Sequence, residues 1–379
     1  MAAPTATQSA AATDSGAADT GARPRWSVWT RLTFWASTVW LLFCLMHLLL
    51  SGRYWLWLLP AIMPPVLFLA VPALLLALAP LARSAWRPIT ATTVAALLLG
   101  APLTGFNIQG LGGGRALGPD SVHVFSWNTE YWDQDDDPVR FYDFLKRQHA
   151  DVYLLQEYIG FDEHANQVTR IDDMARLHRE FPGYYIVNRG ELVTLSRYPV
   201  VAQPLVAPDR YTADEGTRAG WLPYFERAKV LRTDLRIGSQ VMSFYNVHIP
   251  VQFDMSKKPY AGAFYTAMHQ KDGSRQAQFA ALTRQMRTGD RQLLVAGDFN
   301  TSPAMGELGP VKKLGQDIAQ AGGPLYPVSW PADGVVTAWR LDWAFVRGGP
   351  QPQRYRLLDP GGLSDHRAQD MWINVGGSR

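Results

Sequence analysis

Cysteine is nearly missing from this 379-residue chain: Cys44 is the only one, and it lies in an apolar segment. A single thiol excludes a disulfide framework and a thiolate cluster for metal or redox work. Lysine is missing from residues 1–119, and acid nearly so, with Asp14 and Asp19 set against seven arginines at 23, 25, 31, 53, 83, 87 and 115. The whole chain holds 36 basic and 33 acidic residues, which leaves 29 and 31 for residues 120–379, a balance near −2. A domain of that charge lacks the basic footprint of tight, nonspecific nucleic-acid binding. A local groove can still be basic on a neutral protein, so this is a mild objection. No internal repeat is visible.

Apolar bulk is lacking at the very start. Residues 1–22 are mostly Ala, Thr, Ser and Gly, which cannot bury a core, so residues 1–25 read as a disordered tail. Residues 26–108 are the opposite. Three uncharged apolar stretches follow one another: Leu32 to Gly52, Tyr54 to Ala82 with prolines at 60, 64, 65, 72 and 80, and a third from Pro88 that fades into glycine. A bilayer-spanning helix needs ~20 apolar residues, with a lower bound of ~17, so three transmembrane helices are expected. A signal peptide plus two buried core helices would leave too little polar surface. His47 inside the first stretch is a polar contact without an assigned role.

The arginines set the orientation. Three spans put Arg23, Arg25, Arg31, Arg83 and Arg87 on one side and Arg53 and Arg115 on the other. Positive charge near spans stays cytoplasmic, so the N-terminus is expected inside and everything after the third span outside. Trp26, Trp29, Trp55, Trp57 and Trp86 lie near the expected interfaces, as an aromatic belt would. A hairpin in place of the second span would reverse this topology. Residues 109–119, with five glycines between Gly110 and Gly118, read as a flexible tether.

Residues 120–379 have the composition of a soluble α/β domain. Strands are expected at 122–128, 152–157, 184–187, 192–196 and 200–201, with a hairpin of 229–237 and 240–247 around Gly238-Ser239. Further strands are expected at 293–296 and 341–346. Helices are expected from Pro138 to Ala150, over 172–180 and over 274–288. The domain is organised around Gln292-Leu293-Leu294-Val295-Ala296-Gly297-Asp298-Phe299-Asn300-Thr301-Ser302-Pro303. Its apolar run reads as a strand buried on both faces. Asp298 and Asn300, two apart just past its end, face the same way.

Other strand ends carry the same kind of residue: Asn128, Glu157, His248 and Asp365-His366. One such residue per strand end is what a site at the C-terminal edge of an α/β sheet needs. Asp342 sits inside an apolar strand, where an ionised carboxylate must be paired; His366 is the first candidate and Arg340 the alternative. His123, His149, His164, His178 and His269 have no motif around them. Lys257-Lys258-Pro259-Tyr260, with Phe264 and Tyr265, reads as a solvated loop, or as one that leans on lipid headgroups or covers the site.

In this order, the segments WNTEYW, LLQE, NVHIP, AGDFNTSP, RLDW and LSDH resemble the endonuclease/exonuclease/phosphatase superfamily. The resemblance covers residues 120–379. It implies a deoxyribonuclease-I-like four-layer α/β sandwich, two packed β-sheets flanked by helices, here preceded by the three transmembrane helices. Glu157 would be the Mg²⁺ ligand supported by Asn128, with Mn²⁺ as a possible substitute. Asp298 would orient or deprotonate the attacking water and Asn300 would hold a phosphate oxygen. His366, oriented by Asp342, would contact the phosphoryl group, and Asp365 would touch a metal or tie down its loop. His248 in place of the tyrosine of the apurinic-endonuclease branch resembles the nuclease, sphingomyelinase and phosphatase branches, where it can protonate the leaving oxygen. Arg227 would match the family's phosphate-contacting arginine.

Three spans ahead of such a domain resemble VanJ-type teicoplanin-resistance membrane proteins. That implies a cell-membrane hydrolase facing outward, with the lipid bilayer and a lipid phosphodiester or lipid-linked pyrophosphate as partners. An extracytoplasmic DNA or RNA nuclease is the alternative, and a non-catalytic binding module comes third.

Overall fold

Alternation of apolar side chains, one inward and the next outward, builds two sheets buried on both faces. The computed structural model describes residues 26–376 apart from 83, 134–136, 163, 166, 209–217, 255, 289–291 and 333–336. The tail expected at 1–25 lies outside the described residues. The strands are β1 Ser121–Asn128, β2 Val152–Gln156, β3 Gly160–Asp162, β4 Gln167–Thr169, β5 Tyr185–Arg189, β6 Leu192–Ser196 and β7 Val200–Ala202. They continue with β8 Val230–Ile237, β9 Gln240–His248, β10 Leu293–Asp298, β11 Gln316–Asp317, β12 Asp342–Arg347, β13 Gln351–Leu358 and β14 Ala368–Asn374.

One sheet has the order β13-β14-β1-β2-β6-β5 and the other β11-β12-β10-β9-β8-β7. Each contains a single parallel pair, β1 with β2 and β9 with β10, among antiparallel neighbours. Val122, Val124, Val152 and Leu154 of the first sheet pack between the sheets against Phe244, Leu294, Ala296 and Ala344 of the second. The alternate residues point outward. Phe125, Trp127, Tyr153 and Leu155 meet helix Pro138–Arg147 through Phe141, Phe144 and Leu145. Tyr245, Val247, Val295 and Phe345 meet helix Gly262–Arg287 through Phe279, Leu282 and Met286. The result is four layers: helix, sheet, sheet, helix. At ~1.5–3 kcal/mol per fully buried large apolar side chain, these three interfaces hold the domain together.

The apolar N-terminal region departs from the expectation of three spans. Among the described residues, Val28–Leu50 alone is long and apolar enough to cross a membrane. A signal sequence passes the same test. The second stretch is no single helix. Pro60 falls in the short helix Leu58–Ala61 and Pro64-Pro65 follows it, so the chain breaks before Leu67–Leu78. The third helix, Trp86–Gly100, has 15 residues, short of the ~20 a bilayer asks for. The helices lie side by side. Cys44, Phe68 and Ala96 form one cluster with Trp40 and Leu99, and Ala79, Ala82 and Ile89 another with Trp26 and Phe34.

The glycine-rich segment is docked, contrary to the flexible tether expected. Asn107 Nδ2 donates to Ala319 O at 2.7 Å and Arg115 N to Gln353 O at 2.7 Å. Gly114 is required there, because a Cβ would meet Gln353 O at 2.6 Å.

Candidate active site

The parallel pairs leave their C-terminal ends together at one edge. β1 delivers Asn128, the residue after β2 is Glu157, β9 ends on His248 and β10 on Asp298. β12 runs antiparallel to β10, with Asp342 in register with Asp298. Gly297 makes the close packing possible. Its φ is 145°, and a Cβ would fall 2.0 Å from Val247 O of the neighbouring strand.

Asp298 Oδ2 is the hub. Asn128 Nδ2 and Asn300 Nδ2 each donate to it at 3.1 Å. His248 Nε2 lies 3.6 Å away and His366 Nε2 3.7 Å away. Asp298 Oδ1 accepts from the backbone of Asn300 at 2.7 Å. Burial pushes the Asp298 carboxyl above the usual range; His366 and His248 pull it back, and Asp342 adds to the rise.

Each histidine is backed by a buried carboxylate. His366 Nδ1 and Asp342 Oδ2 are 2.8 Å apart. Burial disfavours the charged ring, yet Asp342 and Asp298 outweigh it and hold His366 well above the ordinary histidine value. Arg340, the alternative partner for Asp342, pairs with Asp317 through two bonds of 2.6 and 2.8 Å. His248 Nδ1 lies 3.0 Å from Glu191 Oε2, a charge contact whose angles leave neither atom in an aligned hydrogen bond. Lys229 Nζ bonds the other Glu191 oxygen. Against burial, His248 and Lys229 draw Glu191 down to about 2, and Glu191, Asp298 and Glu157 push His248 up to about 9.

Glu157 is anchored from both sides, with Oε1 accepting from Asn128 Nδ2 at 2.9 Å and Oε2 from Tyr131 N at 3.1 Å. Each oxygen keeps a free lone pair. Glu157 and Asp298 thus share one amide nitrogen and present hard oxygen donors, a set that suits Mg²⁺ or Mn²⁺. Asn128 turns its amide hydrogens to these carboxylates while its Oδ1 accepts from Glu130 N at 3.1 Å. In this arrangement it is a bridge between carboxylates and not itself a ligand. Asp298, Asp342 and His366 also offer ligand atoms within 4.8 Å of one another.

Asn300 spends its amide hydrogens on Ile249 O, at 2.9 Å, and on Asp298. Its amide hydrogens are thus engaged within the protein, one of them on Asp298. Asp365 accepts from the Trp330 indole at 2.6 Å, and its backbone N–H donates to Glu130 at 2.7 Å. Arg227 is exposed and stands apart from the lining of the catalytic cavities. Sequence reasoning missed Glu130 and Glu191. The missed signal was local for Glu130, the acid inside WNTEYW. For Glu191, which sits in a turn, there was none.

Left-handed backbone gathers here: Glu130, Tyr131 and Trp132 in succession, Glu157, and Asn300 at φ 44°. Such residues store strain of ~1–3 kcal/mol each. A cavity of about 460 Å³ holds Asn128, Glu130, Glu157, Asp298 and His366, with Ile62, Phe253, Trp330 and Trp339 also on its wall. A second, of about 610 Å³, shares Tyr131, Glu157 and Val251 with it and reaches His248, Lys229 and Lys271.

Comparison with solved structures returns many matches. A Bacteroides vulgatus endonuclease/exonuclease/phosphatase is 16% identical over 67% of this chain and 98% of its own, TM-score 0.44. A Leptotrichia buccalis family member is 13% identical over 66% and 99%, TM-score 0.46. Truncated Caenorhabditis elegans TDP2 is 16% identical over 67% and 98%, TM-score 0.45. Comparison with curated proteins returned no match. The model of the Endonuclease/Exonuclease/phosphatase family matches residues 106–366, more than half of the chain, and the chain belongs to that family.

Proposed function

We propose that this chain is a membrane-anchored, divalent-metal-dependent phosphoester hydrolase that acts on a lipid phosphodiester or a lipid-linked pyrophosphate. One observation carries the chemistry: two carboxylate-backed histidines aim their Nε2 atoms at the same oxygen of Asp298. A water held by Asp298 attacks phosphorus in line with the departing oxygen. The new P–O bond forms as the old one breaks, Asp298 takes the water's proton, and His248 gives a proton to the leaving oxygen. His366, charged and oriented by Asp342, faces the phosphoryl oxygens as negative charge builds. Glu157, with Asp298 beside it, would hold Mg²⁺, which when bound supplies Lewis-acid polarisation of the phosphoryl group.

The membrane part of the proposal rests on the N-terminal helices. They pack as one unit with Leu32, Trp35, Val39, Leu74 and Leu98 exposed. Large apolar patches of this kind mark a membrane or partner surface. We infer that the unit anchors the chain in the bilayer, with Val28–Leu50 crossing it and the N-terminus cytoplasmic. An apolar anchor ahead of such a domain resembles the VanJ-type proteins, and the catalytic domain then faces outward. A single span gives the same sidedness as three.

The test is hydrolysis by full-length protein in detergent with Mg²⁺, offered lipid phosphodiester, lipid pyrophosphate or plasmid DNA. Hydrolysis of lipid is expected, read as phosphomonoester formed from the diester or phosphate released from the pyrophosphate, abolished by chelation or by Asp298→Asn and restored by Mg²⁺ or Mn²⁺. Cleavage of DNA with lipid left intact would establish the nuclease instead.

A further inference from the structure

Resting on that hydrolase reading, we propose that the anchor segment itself walls the substrate cavity and that this wall takes the hydrocarbon chain of an amphiphilic phosphoester, with Ile62 determining specificity. Ile62 stands between the short helix Leu58–Ala61 and helix Leu67–Leu78, more than ninety residues from Glu157 in sequence. It nonetheless lines the same 460 Å³ cavity as Glu157, Asp298 and His366. The Ile62 carbonyl accepts from the Trp339 indole at 2.8 Å, and the Trp339 and Trp330 rings lie 5.6 Å apart. With Phe253, Met305 and Leu341 these residues make the remaining wall mainly apolar. The polar lining is the acid/base set with Gln252 and Ser302 beside it. A phosphate needs the polar part; the apolar part gains free energy only by covering hydrocarbon, at ~25 cal/mol per Å².

The wall is fixed in place from several directions. Trp55, Leu56, Leu58 and Leu59 pack on Phe253, Phe264 and Met268. The backbones of Ser51-Gly52 and Gly306-Glu307 touch so closely that a Cβ on Gly306 would fall 2.1 Å from Ser51 O. Trp57 Nε1 donates to His47 Nδ1 at 3.1 Å, which leaves the proton on Nε2, and Nε2 donates to Ala304 O at 2.7 Å. The first helix therefore grips the loop that carries Ser302 and Met305 into the cavity. Ile62 and the apolar helices belong to one continuous stretch of chain, so the apolar surface of the helices leads up to this wall.

The experiment uses full-length protein in nanodiscs with Mg²⁺ and two p-nitrophenyl phosphodiesters, one carrying a butyl and one a hexadecyl chain. Wild type should prefer the hexadecyl ester in kcat/KM. Ile62→Asn should cut the hexadecyl-to-butyl ratio by about tenfold or more, the scale on which apolar pockets discriminate. Trp339→Phe, which removes the donor to Ile62, should lower the ratio less, and it serves if Ile62→Asn fails to fold. Leu32→Asn, on the exposed side of the first helix, should keep it. An unchanged ratio in both cavity variants, or a wild type indifferent to chain length, overturns the proposal while the hydrolase reading stands. Wild type inert on both esters and on lipid pyrophosphate at every divalent metal tried overturns both.

Discussion

Arg275→Met tests whether a strut inside the domain sets the catalytic loops. Arg275 is fully buried, and its guanidinium serves three partners: Glu307 Oε1 at 3.1 Å, Pro250 O at 2.6 Å and Thr301 Oγ1 at 2.7 Å. Pro250 follows His248 by two residues and Thr301 follows Asn300 by one, so one side chain ties both active-site loops to helix Gly262–Arg287. Glu307 is 4% exposed and its second oxygen has no hydrogen-bond partner. Methionine fills similar volume but leaves that carboxylate buried and uncompensated, which costs roughly 3–5 kcal/mol. At about 2–4 °C per kcal/mol for a domain of this size, Tm should fall by roughly 6–20 °C. Arg275→Met/Glu307→Leu removes both charges and should recover most of the loss, because well-packed apolar replacements of a buried pair are close to neutral. Tryptophan fluorescence of full-length protein in detergent reads Tm. Turnover below Tm should still drop in both variants, since loop displacements near 1 Å lose about 10²-fold. A Tm loss under about 2 °C in the single variant, or no recovery in the double, refutes the reasoning.

Asp342→Asn should leave the fold intact and lower kcat by about 10²–10⁴ with little change in KM. The cationic His366 it supports is present below a raised pKa, so the alkaline loss of activity should move to lower pH in a pH–rate profile. Glu191→Gln should destabilise by removing the carboxylate that faces Lys229 and His248 Nδ1. Because Glu191 is held at about 2 against an ordinary 4.5, the Tm gap to wild type should be full above pH 4.5 and close as pH falls toward 2. Gly297→Ala should abolish folded protein on expression, since its Cβ would meet Val247 O at 2.0 Å in a left-handed conformation; near-normal solubility and Tm would contradict the strand packing described.

Much of the catalytic domain was legible because its signals are short-ranged. The strands ending on Asn128, His248 and Asp298 declare themselves by apolar runs closed by a polar residue, and the hairpin at Gly238 by its turn. The pairing of Asp342 with His366 could be anticipated, since a carboxylate amid apolar neighbours must be matched. β13 and β14 escaped detection. Arg354, Arg356 and Asp370 interrupt their apolar pattern, yet β14 is interior and pairs with β1 and β13. Helix Gly262–Arg287 begins twelve residues before the expected start at 274, with Gly273 and charged residues in its first half. Docking against the anchor overrides weak local propensity there.

The sequence by itself determined the family, the acids and histidines at the strand ends, and the apolar N-terminal region. Each of these is written in residues close together along the chain, where period and spacing can be read directly. Only the tertiary structure decided that Glu191 backs His248, that Arg340 belongs to Asp317 and Arg275 to Glu307, and that Ile62 walls the cavity. Those contacts join residues remote in sequence, and the stacking of two sheets and the docking of a bundle choose among many partners of equal chemistry.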